Sequence, residues 1–166
     1  PQYVPASQTP FSLKKNAIAA FGPSLLFGIS EGAIYPVIAL SARQLGASVA
    51  ASALILALIG VGSLVSNIPA SLLTARHGEQ RAMVGAAVLS IIALLLCLFA
   101  RSEWMLGAGV FMIGMAQSVY TLARQTYLTE AVPIAMRARA LSTLGGVMRI
   151  GLFIGPFLAA GLMHSM

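Results

Sequence analysis

Five apolar runs, each separated from the next by only a few polar residues, dictate what this chain can become. They lie at about residues 17–42, 49–74, 82–100, 105–129 and 141–164. At about 1.5 Å of rise per residue, roughly 20 helical residues cross a hydrocarbon layer of about 30 Å. Inside that layer no water is available for backbone N–H and C=O groups, so each run must pair its own backbone as a helix. The runs are continuous and do not alternate apolar with polar residues, which excludes a transmembrane barrel. With 58% hydrophobic and 8% charged residues, the chain also has too little polar surface for a soluble domain. The expectation is an all-α polytopic membrane protein with five transmembrane helices. Residues 1–15, which contain proline and serine, are expected to form a loose N-terminal segment, and residues 16–166 the helical domain.

Charge gathers between the runs. Lys14, Lys15, Arg76, Arg81, Arg137 and Arg139 fall on one side of the expected bundle, and Arg43 and Arg101 on the other. Positive loops stay in the cytoplasm, so the N-terminus is expected there and the protein in the cytoplasmic (plasma) membrane. The net charge of +6 is thus an orientation signal, and no nucleic-acid partner is expected. Cys97 stands alone, and His77 and His164 are far apart in the sequence. No metal site, cofactor motif or catalytic triad can be assembled from these residues, so an enzyme is not expected. Membrane lipid and a small-molecule substrate are the expected partners.

Glu31 is the only charge in the first run, which reads AIAAFGPSLLFGISEGAIYPVIALSA. A carboxylate at that depth costs about 2.5–3.5 kcal/mol on insertion scales. It therefore belongs in a protein interior or a wet cavity. Ser24, Phe27 and Tyr35 share its face by helical spacing. Such a strip suits proton loading or an amphipathic, cationic solute; a structural carboxyl bonded to a neighbouring helix is the other reading. Arg149 lies 10 residues beyond Arg139, about 15 Å at helical rise. It is a candidate counter-ion for Glu31, an anchor for an anionic substrate, or a guanidinium bonded to carbonyls freed near Pro156. All three readings stand open at this point.

Three stretches carry a family resemblance. Ser71 to Met83 reads SLLTARHGEQRAM. In spacing and place it resembles the G-x-x-x-D-R-x-G-R-R loop of the major facilitator superfamily, with Arg76 and Gly78 matching and Arg81 one place further on. Ser71 replaces the first glycine of that pattern and Ala75 its aspartate. Glu130, Pro133, Arg137 and Arg139 resemble the superfamily's E-x-x-P-x-x-x-R-G segment. Gly151-x-x-x-Gly155-Pro156-x-x-Ala159-Ala160 resembles the G-x-x-x-G-P-x-x-G-G helix of its proton-driven exporters.

The resemblance implies the first five helices of a twelve-helix inverted-repeat bundle. It also implies secondary active transport, with proton-coupled export of amphipathic compounds as the expected activity. Arg76, Gly78, Arg81, Glu130 and Arg137 would form a cytoplasmic gate, with Glu130 near Arg76. Gly151, Gly155 and Pro156 would form a packing seam with the other half of the transporter. Because the second three-helix repeat is incomplete in this sequence, two outcomes are expected. Either the chain partners a missing C-terminal half, or it is a non-transporting subunit of transporter-like fold inside a larger membrane complex.

Overall fold

A computed structural model describes residues 17–166, and Lys14, Lys15 and the expected loose segment lie outside the described residues. Five helices follow one another: α1 Ala17–Gln44, α2 Val49–His77, α3 Glu79–Leu98, α4 Glu103–Ala131 and α5 Ile134–Ser165. All five are long and apolar enough to cross a membrane. The shortest, α3, has 20 residues, about 30 Å of helix and so just enough for the hydrocarbon layer. Its buried positions are only Ala82, Ala86 and Ala93, while Val84, Val88, Ile91, Leu95 and Leu98 are exposed. That is the pattern of a helix facing lipid on most of its circumference.

The connections are short because each helix end supplies its own stop. Ser48 caps α2 by accepting from the Ala51 N–H at 3.1 Å, and Ser102 caps α4 by accepting from the Met105 N–H at 3.3 Å. Each side-chain oxygen takes up one of the donors left over in a first helical turn. Gly78 alone separates α2 from α3, with φ +82°. A residue with a Cβ is strained in that region, which explains a glycine at this corner.

One boundary differs from the sequence expectation. Residues 130–139 read as a connection closed by Pro133, yet α5 begins at Ile134 and places Arg137 and Arg139 on the helix. Pro133 is its N-cap, with φ −54° and ψ 147°. Proline suits a helix start because the N–H it lacks would have had no partner there. The Arg137 guanidinium turns back and donates to the Val132 carbonyl at 3.3 Å, at the C-cap of α4.

Helix α1 packs chiefly on α5, and α4 packs on α2 and α3. In lipid, helices gain little from burying apolar surface against each other, so small residues that admit close backbone contact decide where they meet. Gly28 and Gly32 lie on the backbone of Met148 and Leu152, and Gly151 and Gly155 lie on the backbone of Leu25, Ile29 and Ala33. On the other pair, Gly114 meets the Ile59 backbone and Gly62 the Phe111 backbone.

The seam formed by Gly151 and Gly155 is therefore made with α1 of the same chain. The sequence marks the small face of α5 but not the helix that fills it. Pro156 is half-buried beside this seam. It lacks the N–H that would bond the carbonyl four residues earlier, and that Leu152 carbonyl lies against Gly32.

An added Cβ at Gly32 or Gly155 would collide with backbone across the seam, whereas one at Gly85 meets nothing within 4 Å. Overpacking of this kind costs about 1–3 kcal/mol. Gly32→Ala and Gly155→Ala should each lower the melting temperature in detergent, and Gly85→Ala should leave it unchanged or slightly raised.

Candidate functional site

The faces of α1 separate two tasks. Successive helical residues turn by about 100°, so Phe27, Glu31 and Ile34 share a face that points well away from Gly28 and Gly32. With the glycines held on α5, that face meets a cavity of about 250 Å³. Phe27, Ser30, Glu31 and Ile34 line it from α1, Ser90 and Ile91 from α3, and Ile113, Gln117 and Tyr120 from α4. The Phe27 and Tyr120 rings stack across it, with centroids 4.0 Å apart and planes 16° from parallel.

A second cavity of about 210 Å³ adjoins the first and has a different chemistry. It is lined by Glu31, by Ser63 and Asn67 of α2, and by Gln117, Ser118, Thr121, Leu122 and Gln125 of α4. Ser118 Oγ donates to Asn67 Oδ1 at 2.6 Å, joining α4 to α2. Glu31 and Gln117 are the residues common to both cavities. The carboxyl thus has an apolar, aromatic chamber on one side and an amide- and hydroxyl-lined chamber on the other.

The end of the bundle away from the N-terminus is filled by an apolar cluster. It contains Ile38 and Ala42 of α1, Ile55 and Ile59 of α2, Ala93 of α3, and Leu106, Val110 and Ile113 of α4. The polar chamber lies between Glu31 and the opposite end, reaching Gln125 near the C-terminal part of α4.

Other hydroxyls on the membrane helices take care of themselves. Ser30, Thr74, Ser90 and Thr126 donate to carbonyls four residues earlier at 2.8–3.0 Å. This is the usual way in which a hydroxyl is accommodated on a membrane helix. Among the described residues no buried side-chain nitrogen or oxygen lacks a partner.

The remaining expected site residues are dispersed. Tyr35 is exposed and lines neither cavity. Arg149 is exposed on α5 and also lines neither, so the structure does not bring it to Glu31. Sequence depth places both arginine and glutamate within the membrane but says nothing about rotation about the helix axis. Arg76, Arg81 and Glu130 are exposed around the ends of α2 and α4, and the expected approach of Glu130 to Arg76 has no hydrogen bond to support it among the described residues.

The charge that sequence reasoning passed over is Arg124. Its side chain is only 6% exposed. Nε donates to Ser24 Oγ at 3.2 Å and an Nη donates to the Ala19 carbonyl at 3.4 Å. The guanidinium also lies 5.6 Å from the centre of the Tyr127 ring. A signal was present in the sequence: Pro23 lacks an N–H, so the carbonyl four residues before it, that of Ala19, needs another donor.

Comparison with known proteins fits this arrangement. The family model described as Major Facilitator Superfamily matches residues 21–166. The chain belongs to the major facilitator superfamily. Curated relatives include proteins named multidrug resistance protein MdtG. The one from Enterobacter lignolyticus is 28% identical over 152 residues, covering 89% of this chain and 36% of the relative. That from Citrobacter koseri is 27% identical over 155 residues, covering 91% and 38%. The chain thus spans well under half the length of these relatives. As a superfamily member with five membrane-length helices, it is an integral membrane protein.

The Phe27–Tyr120 stack gives this site a measurable signature. In a double-mutant cycle on stability, Phe27→Leu and Tyr120→Leu should couple by about 0.5–1.5 kcal/mol, as offset aromatic pairs do. Strict additivity would show that the rings do not interact.

Proposed function

We propose that the protein acts in secondary transport, exporting small amphipathic compounds, and that Glu31 handles the coupling proton or the substrate's positive charge. The observation that carries this reading is the place of Glu31 between an aromatic chamber and a polar one. An amphipathic molecule needs both surfaces, and its cationic centre would sit where they meet. A stacked aromatic pair attracts flat rings and cations alike.

Three further observations support it. The relatives named multidrug resistance proteins share the superfamily and match most of this chain. The polar chamber offers water a place beside a carboxyl that must exchange a proton. Substrate sites of such bundles lie near the bilayer midplane, and Glu31 falls near the middle of the 28-residue α1. On this reading the N-terminus is cytoplasmic, and the second half of the transporter closes the site from the far side.

The test uses the full-length protein in vesicles with an imposed pH gradient and a fluorescent organic cation. Glu31→Gln should abolish gradient-driven movement of the cation, while Arg149→Gln should keep most of it, because Arg149 lines neither chamber. Gradient-driven transport that survives Glu31→Gln unchanged would sink the assignment of Glu31.

A further inference from the structure

The two helix groupings of the bundle, α1 with α5 and α4 with α2 and α3, touch each other much less than helices within each grouping do. Arg124 makes one of the links between them, to Ser24 and Ala19, and its surroundings are unusual for an arginine in a membrane span. The partners within reach are neutral: a serine hydroxyl, a backbone carbonyl and an aromatic face. A guanidinium at this depth is costly, and it carries five donors that need acceptors. Two acceptors come from α1, and one of them exists only because Pro23 releases the Ala19 carbonyl.

We propose that Arg124 is a positioning residue that ties α1 to α4 and thereby sets the aromatic wall of the Glu31 chamber. This inference rests on reading that chamber as the substrate site. The geometry runs along two helices in step. On α4, Tyr120 lies one turn before Arg124, on the same face. On α1, Phe27 lies about one turn after Ser24, again on the same face. The Arg124–Ser24 bond at 3.2 Å is thus one turn away from the Phe27–Tyr120 stack at 4.0 Å.

Ser24 is fully buried and the Tyr120 side chain also reaches it, so Arg124, Ser24 and Tyr120 form one polar tie that water cannot enter without the helices parting. The main packing of α1 is on α5, and on the α4 side Phe21 shares an apolar cluster with Leu128 and Val132; between that cluster and the aromatic stack the polar tie sets the register of α1 against α4. Losing it frees Phe27 from Tyr120 while the glycine seam still holds α1 on α5. The consequence falls on ligands that need the stacked wall, and much less on ligands that need only the charge of Glu31. Arg124 itself does not line the chamber.

Two measurements on the full-length protein test this. The first needs no ligand. In a Cys97→Ser background, Phe27→Cys and Tyr120→Cys should be joined in native membranes by a short bifunctional methanethiosulfonate, which spans the space that the two stacked rings fill. Adding Arg124→Gln, or Ser24→Ala where the arginine variant is poorly folded, should lower the yield at least threefold. Equal yields would overturn the proposal.

The second compares the binding of ethidium, a flat aromatic cation, with that of tetraethylammonium. Arg124→Gln and Ser24→Ala should each weaken ethidium at least threefold more than tetraethylammonium, the double variant should be no worse than the poorer single, and Ser24→Thr should restore binding. Parallel loss for both ligands would indicate a merely structural role and overturn the proposal. If the unsubstituted protein binds neither cation, the reading of the chamber as a substrate site fails. The cross-linking result still decides whether Arg124 sets the register.

Discussion

Backbone contact between α1 and α5 is the constraint on which the remaining structure depends. Gly28, Gly32, Gly151 and Gly155 let the two helices approach until main chain meets main chain. In lipid this is the contact available to fix a helix rotationally, since apolar side chains fare as well against acyl chains as against each other. Once α1 is turned so that its glycines face α5, Phe27 and Glu31 have one direction left, toward α3 and α4. The position of the carboxyl follows from residues that are not themselves polar.

Polar groups in the membrane are then satisfied in a linked way. Each proline within a helix releases a carbonyl, and those of Ala19, Gly32 and Leu152 sit at helix contacts. The one released by Pro23 takes a hydrogen bond from Arg124, and the one released by Pro156 lies on Gly32. Ser30, Thr74, Ser90 and Thr126 bond to their own helices and Ser118 bonds to Asn67 across to α2, while Gln117 and the carboxyl of Glu31 line the chambers. A bundle with so few charges can keep one carboxyl available because its other polar groups have partners nearby.

The sequence made the helices, their number and the cost of Glu31 legible, because length, hydropathy and a lone acid are local properties. Phe27 was legible as a neighbour of Glu31 by the same helical arithmetic, and the small face of α5 by its glycine spacing. What could not be read was which helix meets which face. The spacing of Gly151 and Gly155 therefore marked a packing face without naming α1, which fills it, Tyr35 shares the face of Glu31 by spacing but lines neither chamber, and Arg149 was set beside Glu31 by depth although it lies exposed on α5. Arg124 was passed over, although Pro23, four residues after Ala19, already implied a carbonyl in need of a donor. The start of α5 at Ile134 was hidden because Pro133 is equally at home in a loop and at a helix N-cap.

The central claim, that α1 turns Glu31 away from lipid into a water-accessible chamber shared with α2 and α4, is tested most directly by thiol accessibility in the full-length protein. In a Cys97→Ser background, single Glu31→Cys, Asn67→Cys and Ile92→Cys variants would be treated in membranes with a small water-soluble methanethiosulfonate cation. Asn67 lines the polar chamber with Glu31, whereas Ile92 is exposed on the lipid-facing side of α3. The account predicts that the Glu31→Cys variant is labelled at a rate close to that of Asn67→Cys and at least tenfold faster than Ile92→Cys. Labelling of Glu31→Cys as slow as that of Ile92→Cys would contradict it.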